Sequence, residues 1–409
     1  MRLAIYEPDP TGHHFAYVAL MVPALAELTN DLLLITPQSA VDSPEFQLHL
    51  AKVADQFRIE TAIDPPPRSH SPLASWRQLK SLGRLLQQIV PDHLYIPYAD
   101  SFVAGAAIDR VTPTRAIEVP ETEVLLLRGG FRYPPEDYKQ RLMSLLGPQL
   151  VRADGWSRVH HLNPDDWEAL RSLGGDFAGR CRLMADPIEV PCALSRAEAR
   201  RHLGIPEAGR YIGCTGLIDR RKGMDRLLAA FRQCERQLRA DDRLLLAGPI
   251  HAEIHQLLQQ EFDADFLQQR VVLIDRHFTV AEIAVAVAAL DVVCTPYPKH
   301  RHSASIVIRA ASHERYVLGA AIGWMQRTIH QFGLGRTCNV LDRAAFAAAI
   351  PVSLDASENF QLSEKGRRFA QFHSAENFAA QWCVRLRERL GLPPDPNILA
   401  WDWVIAAPA

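Results

Sequence analysis

The sequence alternates, twice over, between short apolar runs and segments whose apolar residues recur at helical spacing. Runs such as 3–6, 32–35, 211–214 and 292–295 have strand length, and each is followed by a polar loop and a helical pattern. Two strands joined through a helix pair in parallel, with a right-handed crossover. The pattern therefore predicts an α/β protein made of two doubly wound, Rossmann-like domains.

The chain of 409 residues is too long for one ordinary core, and its composition indicates where it divides. A Pro-containing stretch at 186–191 is typical of a domain linker. We expect an N-terminal domain over 1–188 and a C-terminal domain over 189–375. The remainder, 376–409, begins with a helix that carries an apolar stripe, so we expect this helix and tail to pack back on the N-terminal domain.

Composition excludes several classes of protein. A net charge of −2 gives no bulk electrostatic reason to bind nucleic acid. The seven cysteines are widely spaced and form no C-x-x-C pair, which argues against a structural zinc site. The chain opens on a strand rather than a signal peptide, and no apolar run reaches the ~18–20 residues of a transmembrane helix. We expect a cytoplasmic protein, with peripheral membrane contact left open.

Two polar loops follow strands of the second predicted domain, and the second of them leads into a helix that we predict from about Ser303 to Ser312. In an open α/β sheet, both loops lie at the carboxyl ends of parallel strands, where ligands bind. Their cations, hydroxyls and helix N–H groups suit an anion such as a diphosphate. The residues that we expect to bind it are Thr215, Gly216, Arg220, Lys222, His302, Ser303, Ser305 and Arg309.

Four motifs lie between residues 205 and 345. Residues 216–223 read GLIDRRKG, and 225–230 read DRLLAA; residues 244–248 read LLLAG, and 291–296 read DVVCTP. Together they resemble the motifs G-R-L-x-x-x-K-G, D-x-L-L-x-A, L-x-I-x-G and A-D-V-x-V-x-P of the retaining glycosyltransferases with the two-domain GT-B fold. The resemblance implies that Lys222 binds a donor diphosphate in a cleft that the two domains face.

The sequence departs from that family at three positions. The arginine after the first glycine of the loop is Leu217 here, so Arg220 or Arg221 has to substitute for it. The two glutamates of the family's E-x7-E motif correspond to Arg301 and Arg309, and a guanidinium cannot accept a hydrogen bond from a sugar hydroxyl. Either sugar and ribose recognition differs, or the donor differs, or transfer activity has been lost.

Two further loops complete the predicted site. The resemblance implies that His277 and Phe278 border the nucleobase, with a core position for Phe278 as the alternative. In the first domain, Gly12 permits close backbone approach, and His13 and His14 have the pKa that proton transfer requires. Further candidates for the acceptor side are Tyr98, Asp100, Ser101, Glu121 and Arg128.

The sequence thus favours a hexosyltransferase-type glycosyltransferase that moves a sugar from a nucleotide-diphosphate sugar to an unknown acceptor. The resemblance alone implies that the anomeric configuration is retained. The donor is a substrate, and we expect no other cofactor and no metal, because cations and helix dipoles can take the leaving-group charge. One alternative is a catalytically inactive GT-B-like protein that binds a nucleotide, a glycan or a partner chain. Another is a two-domain α/β enzyme such as an epimerase or phosphorylase.

Overall fold

The computed structural model describes residues 1–62, 71–112, 117–127, 138–154, 156–188 and 191–406. The chain folds into two compact units, Met1–Asp186 with Ala375–Ile398, and Pro187–Ser374 with Leu399–Ala409. The sequence prediction keeps 376–409 together on the N-terminal domain, whereas the structure divides this segment at residue 398. The physical reason is Trp401, whose ring packs 5.7 Å from that of Phe332 and 5.0 Å from that of Phe372 in the second unit.

The first unit contains a seven-stranded sheet in which all strands are parallel. Its strands are Arg2–Tyr6 (β1), Asp31–Pro37 (β2), Arg58–Ala62 (β3), His93–Ile96 (β4), Glu121–Leu126 (β5), Arg158–His161 (β6) and Cys181–Leu183 (β7). The strand order is β3-β2-β1-β4-β5-β6-β7. The order reverses between β1 and β4, and this switch point is where a doubly wound sheet binds ligands.

Helices cover the sheet of the first unit. They are His14–Ala26 (α1), Gln38–Val41 (α2), Pro44–His49 (α3), Pro72–Ile89 (α4), Val103–Val111 (α5), Tyr138–Ala153 (α6), Pro164–Arg171 (α7), Gly175–Arg180 (α8) and Ala375–Arg389, which is α18 in chain order. The helix α18 packs on α1 and on the sheet. Phe378 lies 5.1 Å from the Tyr17 ring, and Trp382 lies 5.7 Å from the Tyr95 ring.

A buried polar cluster lies in the sheet beside α18. His160 donates a hydrogen bond of 2.8 Å from Nε2 to Glu123 Oε2, and His93 Nε2 lies 3.1 Å from Glu123 Oε1. Burial alone would raise the pKa of Glu123, but the two imidazoles outweigh it and lower the pKa to about 2. Glu123 is therefore an ionised carboxylate that has no exposed surface. The two histidines offset the free-energy cost of burying this charge.

The second unit repeats the same plan with six parallel strands. They are Tyr211–Thr215 (β8), Arg243–Ala247 (β9), Val271–Ile274 (β10), Val292–Thr295 (β11), Tyr316–Ala320 (β12) and Gly335–Cys338 (β13). The order is β10-β9-β8-β11-β12-β13, so the switch point lies between β8 and β11. Two doubly wound sheets confirm the predicted fold class.

The second unit has ten α-helices within the described residues. They are Arg196–His202 (α9), Met224–Gln233 (α10), Ala252–Glu261 (α11), Ala264–Arg270 (α12), Val280–Ala289 (α13), Ser305–Ser312 (α14), Gly323–Gln331 (α15), Arg343–Glu358 (α16), Glu364–Phe372 (α17) and Trp401–Ile405 (α19). Thr279 and Glu282 form a capping box at the start of α13. Across the described ranges, no helix has the length and apolar character needed to cross a membrane.

Candidate functional site

The two predicted loops of the second unit lie side by side at the switch point. Strands β8 and β11 pair in parallel, with Ile212 opposite Val292, so the loops that leave them begin at the same edge of the sheet. Gly223 has a φ of +75°, and a Cβ at this position would lie 2.2 Å from the carbonyl oxygen of Pro296. This close approach requires glycine. The loop that carries Lys222 is thereby packed against the loop that leads to α14.

Lys222 occupies the centre of this edge. It ends a short 3-10 helix, Arg220–Lys222, that Asp219 caps by accepting a hydrogen bond of 2.9 Å from the Lys222 backbone N–H. The ammonium Nζ lies 3.5 Å from the Thr215 carbonyl oxygen. A Cβ on Gly216 would lie 3.2 Å from the same Nζ, so the lysine side chain folds back over the end of β8.

The ammonium of Lys222 is desolvated without a carboxylate partner among the described residues. Burial lowers its pKa below the ordinary lysine value; Cys214 and Asp219 act against this shift, whereas the nearby charges of Arg221 and Arg309 act with it. A partly buried cation of this kind gains free energy when an anion binds beside it, because the anion replaces hydration that folding removed. Its chemistry suits a phosphate group.

The N-terminus of α14 also offers groups that can bind an anion. The helix begins at Ser305 with Ala304 as its N-cap residue, and no side chain caps it. The N–H of Val307 donates a hydrogen bond to the Ala304 carbonyl at 2.9 Å, whereas the N–H groups of Ser305 and Ile306 have no capping side chain and can bind an outside acceptor such as a phosphate oxygen. The prediction that this helix begins at about Ser303 is wrong by two residues. The carbonyl of Ser303 instead accepts a hydrogen bond of 2.8 Å from His300 Nε2, which holds the preceding turn outside the helix.

The arginines of the two loops have different surroundings. Arg309 lies one turn into α14 and donates a hydrogen bond of 2.9 Å to Ser305 Oγ. The carbonyl of Arg301 accepts a hydrogen bond of 3.2 Å from the Trp324 backbone N–H at the start of α15. Arg220 is exposed and pairs with Glu253 on α11 at 3.8 Å. The structure therefore brings Arg309 to Lys222 and directs Arg220 toward α11.

The predicted nucleobase loop follows β10, the edge strand of this sheet. His277 is exposed, and Phe278 is half-buried, so the alternative of a core phenylalanine is wrong. The Arg276 guanidinium lies 4.3 Å from the centre of the Phe278 ring and pairs with Glu282 at 2.6 Å. His302 has an edge-on contact of 6.0 Å with the ring of His300. The described residues hold no group of three or more His, Cys, Asp and Glu side chains arranged to bind a metal.

The switch point of the first unit carries a second polar cluster, which consists of Glu7, His14 and Tyr98. His14, the first residue of α1, places Nδ1 2.8 Å from Glu7 Oε1. Its ring stacks on that of Tyr98, which follows β4, with 3.8 Å between the ring centres. Glu7 is 1% exposed, so the hydrogen bond is shielded from water. Gly12 has a φ of +67° and lies in the loop between Glu7, at the end of β1, and His14, at the start of α1.

The pKa values of the pair reflect this contact. Burial alone would lower the pKa of His14, but the hydrogen bond and charge of Glu7 more than offset it, and the pKa lies above the ordinary value. Burial raises the pKa of Glu7, and His14 offsets this in part. His13 differs from its neighbour, because it is exposed and its ring lies 6.1 Å from that of Tyr17.

The remaining acceptor-side candidates have structural contacts. Asp100 Oδ2 accepts a hydrogen bond of 2.9 Å from the Leu127 backbone N–H, and the Ser101 carbonyl accepts one of 2.7 Å from Ser75 Oγ. Glu121 begins β5, at the amino edge of the sheet, and binds Arg385 of α18 at 3.1 Å. Arg128 lies outside the described residues. Glu7 is absent from the predictions, although a glutamate directly after a buried strand was a usable signal.

Solved structures share the whole architecture. Sucrose-phosphate synthase from Thermosynechococcus elongatus superposes with a TM-score of 0.66 at 19% identity, covering 96% of this chain and 99% of that one. HepE from Anabaena in complex with UDP gives 0.67 at 14% identity, over 95% and 100% of the two chains. The chain has the GT-B fold. In each comparison the likeness extends over nearly the full length of this chain and of the solved structure.

The same fold serves another class of enzyme. UDP-GlcNAc 2-epimerase from Methanocaldococcus jannaschii superposes with a TM-score of 0.58 at 13% identity, over 95% of this chain and 100% of that one. No protein-family model matches the sequence, and no curated protein matches it. The likeness therefore extends to the fold, while activity has to be argued from the residues of the site.

Proposed function

We propose that this protein is a glycosyltransferase that uses a nucleotide-diphosphate sugar, whose diphosphate binds at the carboxyl ends of β8 and β11. The observation that carries the proposal is the partly buried ammonium of Lys222, which has no carboxylate partner among the described residues, beside the N-terminus of α14, which no side chain caps. An ammonium and a row of helix N–H groups can share the two phosphates of a diphosphate. In the transfer, the same groups stabilise the negative charge of the departing nucleoside diphosphate.

Two of the similar structures support this choice of ligand. HepE is described in complexes with UDP and with UDP-glucose, and both ligands carry a diphosphate. UDP-glucose is therefore the first donor to test, and a hexosyl group is the sugar that we propose. Retention of the anomeric configuration remains a prediction of the resemblance.

The sugar end of the donor site differs from that of the family that the sequence resembles. Arg301 and Arg309 stand where two hydroxyl-accepting glutamates are expected, and Arg309 is held by Ser305 near Lys222. We propose that Arg309 adds a phosphate contact, since a guanidinium binds phosphate oxygens in a bidentate geometry. Hydroxyl groups of the donor then have to be bound by carbonyl or hydroxyl oxygens.

The proposal is tested by thermal-shift screening of UDP, GDP, ADP and dTDP, together with their glucose derivatives. We expect one base to raise the melting temperature of the wild-type protein. Lys222→Met should weaken binding of that ligand by about 30- to 1,000-fold, or ~2–4 kcal/mol, because a charged hydrogen bond in a dry site is lost. Lys365→Met, the same change on α17 in the same unit, is the matched control.

Nucleotide-sugar epimerase activity is the second candidate. It is favoured by the likeness to UDP-GlcNAc 2-epimerase and by the two arginines in place of sugar-binding glutamates. The two activities separate in one assay, in which the products of UDP-glucose and UDP-GlcNAc are followed by NMR. A transferase produces a glycoside, or free sugar with water as acceptor, whereas an epimerase produces the epimeric sugar. Ligand binding with neither product would support the inactive GT-B-like protein.

A further inference from the structure

The helix groove is a cavity of about 270 Å³ in the second unit, between α10, α11 and the segment that begins α16. Buried side chains of Leu257, Val340 and Phe346 form its apolar wall, and the exposed side chain of Leu341 also lines it. Ligand pockets in proteins commonly measure about 300–1,000 Å³, so this groove suits a small metabolite and not a whole nucleotide sugar. All of its lining residues belong to the second unit.

Three guanidinium groups line the helix groove, those of Arg220, Arg226 and Arg343. Arg226 forms no hydrogen bond or ion pair with the described residues. Arg343 donates a long hydrogen bond of 3.4 Å to the Ala229 carbonyl, and Arg220 lies 3.8 Å from Glu253. The chain therefore neutralises these cations only weakly. Guanidinium groups bind phosphate oxygens in a bidentate geometry, so a phosphate group is the anion that this part of the groove fits.

Two carboxylates line the same groove, and neither forms an ion pair with the described residues. Asp225 lies next to Arg226 on α10, and its Oδ1 is buried and accepts no hydrogen bond in the described part of the chain. Glu261 is exposed at the end of α11. An ionised carboxylate can only accept hydrogen bonds, and it repels a polyanion. The two acids therefore favour a ligand that carries several hydroxyl groups and a single phosphate.

We propose that the helix groove binds a monophosphorylated sugar or polyol, at a site separate from the diphosphate site at Lys222. The phosphate binds the guanidinium groups of Arg226 and Arg343, and a hydroxyl group donates a hydrogen bond to Asp225. The carbon skeleton lies against the apolar wall. The inference goes beyond the proposed function and does not depend on it, because Lys222 and α14 are not among the residues that line the groove.

Asp225 distinguishes a polyol phosphate from a simple anion. If a ligand hydroxyl donates to Asp225, Asp225→Asn replaces the ionised acceptor by a neutral one, and binding of the polyol phosphate should weaken about tenfold. The same change removes a negative charge from the groove, so inorganic phosphate should bind as well as before or more tightly. The two ligands should therefore respond to one substitution in opposite directions.

The first test is titration calorimetry of the full-length protein with sorbitol 6-phosphate, glycerol 3-phosphate, sorbitol and inorganic phosphate. We expect one polyol phosphate to bind at a single site, at least about tenfold more tightly than sorbitol or inorganic phosphate. Arg226→Met should weaken this binding about 10- to 100-fold, because a charged hydrogen bond is lost, and Arg343→Met is a second variant at an exposed residue. Arg236→Met, a change at an exposed arginine outside the groove, is the matched control.

Several results would overturn the inference. They are the absence of saturable binding by either polyol phosphate, equal affinity for inorganic phosphate, and an equal loss in Arg226→Met and Arg236→Met.

The second test asks whether the two sites are separate. Lys222→Met should keep the affinity for the polyol phosphate, because Lys222 does not line the groove. Loss of binding in Lys222→Met, with binding retained in Arg226→Met, would show that the phosphate enters the diphosphate site, and would overturn the inference. The screen of nucleoside diphosphates has an independent outcome. Its failure would refute the proposed function, whereas binding of a polyol phosphate in the groove would still be measured.

Discussion

The packing of the Lys222 loop against the Pro296 loop can be tested by a single methyl group. In Gly223→Ala, the new Cβ would lie 2.2 Å from the Pro296 carbonyl oxygen, whereas packed Cβ atoms keep 3.0 Å or more, so the backbone has to move by about 0.8 Å. The φ of +75° adds the strain of a left-handed residue. A matched control exists in Gly204→Ala, since Gly204 has a φ of +70° and no atom within 4 Å of its Cβ position.

The two variants separate the clash from the strain. Left-handed backbone costs an alanine about 1–2 kcal/mol, and the loss of unfolded-state entropy returns about 0.4–1 kcal/mol. Gly204→Ala should thus destabilise by about 1 kcal/mol. A forced shift of packed backbone adds about 1–3 kcal/mol, so Gly223→Ala should destabilise by about 2–4 kcal/mol. In a unit of this size, each kcal/mol lowers the melting temperature by about 2–4 °C.

Binding of a nucleoside diphosphate is the second property that distinguishes Gly223→Ala from Gly204→Ala. Separation of the loops moves Lys222 away from the N-terminus of α14, so Gly223→Ala should lose nucleoside diphosphate binding while Gly204→Ala keeps it. Differential scanning calorimetry measures the melting temperature of each variant, and titration calorimetry measures its affinity for the nucleoside diphosphate. Equal melting temperatures, or unchanged binding by Gly223→Ala, would refute the argument that contact between the loops builds the site.

Three further predictions concern charged side chains. Lys222→Met should not lower the melting temperature of the unliganded protein. Because burial lowers the pKa of Lys222, the unfolded chain holds the proton more tightly, and the charge opposes folding at neutral pH. A lower melting temperature than that of Lys365→Met would contradict this. Glu123→Gln should lower the free energy of unfolding by about 2–4 kcal/mol at pH 7. Because the folded pKa of Glu123 is about 2, the difference between variant and wild type should disappear as the pH falls from about 4.5 toward 2. Urea unfolding at several pH values measures this difference. Arg309→Met should weaken nucleoside diphosphate binding about tenfold at low salt and less at high salt; titration at two salt concentrations tests this, and a loss that salt does not change would contradict a charge contact.

The fold was predictable because it depends on local periodicity. Buried strands such as β8 and β11 are short apolar runs, and helices such as α10 repeat their apolar residues on one face. The position of both loops follows, since parallel strands with crossover helices bring their carboxyl ends to one edge. The loops that carry Lys222 and Ser305 could therefore be assigned to one site without coordinates.

The parts that could not be predicted depend on contacts between distant residues. His13 and His14 are equivalent in sequence, and only the approach of Tyr98 and Glu7 distinguishes them. The start of α14 shifts to Ser305 because His300 binds the Ser303 carbonyl, a local bond that competes with the helix. Trp401 belongs to the second unit because of two aromatic rings that lie far from it in sequence.

The central claim is that Lys222 and the N-terminus of α14 hold the diphosphate of a nucleotide sugar. The measurement that tests it most directly is a crystal structure of the wild-type protein soaked with UDP, or with the nucleoside diphosphate of largest thermal shift. The account predicts phosphate oxygens within hydrogen-bonding distance of Lys222 Nζ and of the first backbone N–H groups of α14. A diphosphate bound at another surface of the protein, with no phosphate oxygen near the Lys222 ammonium, would contradict it.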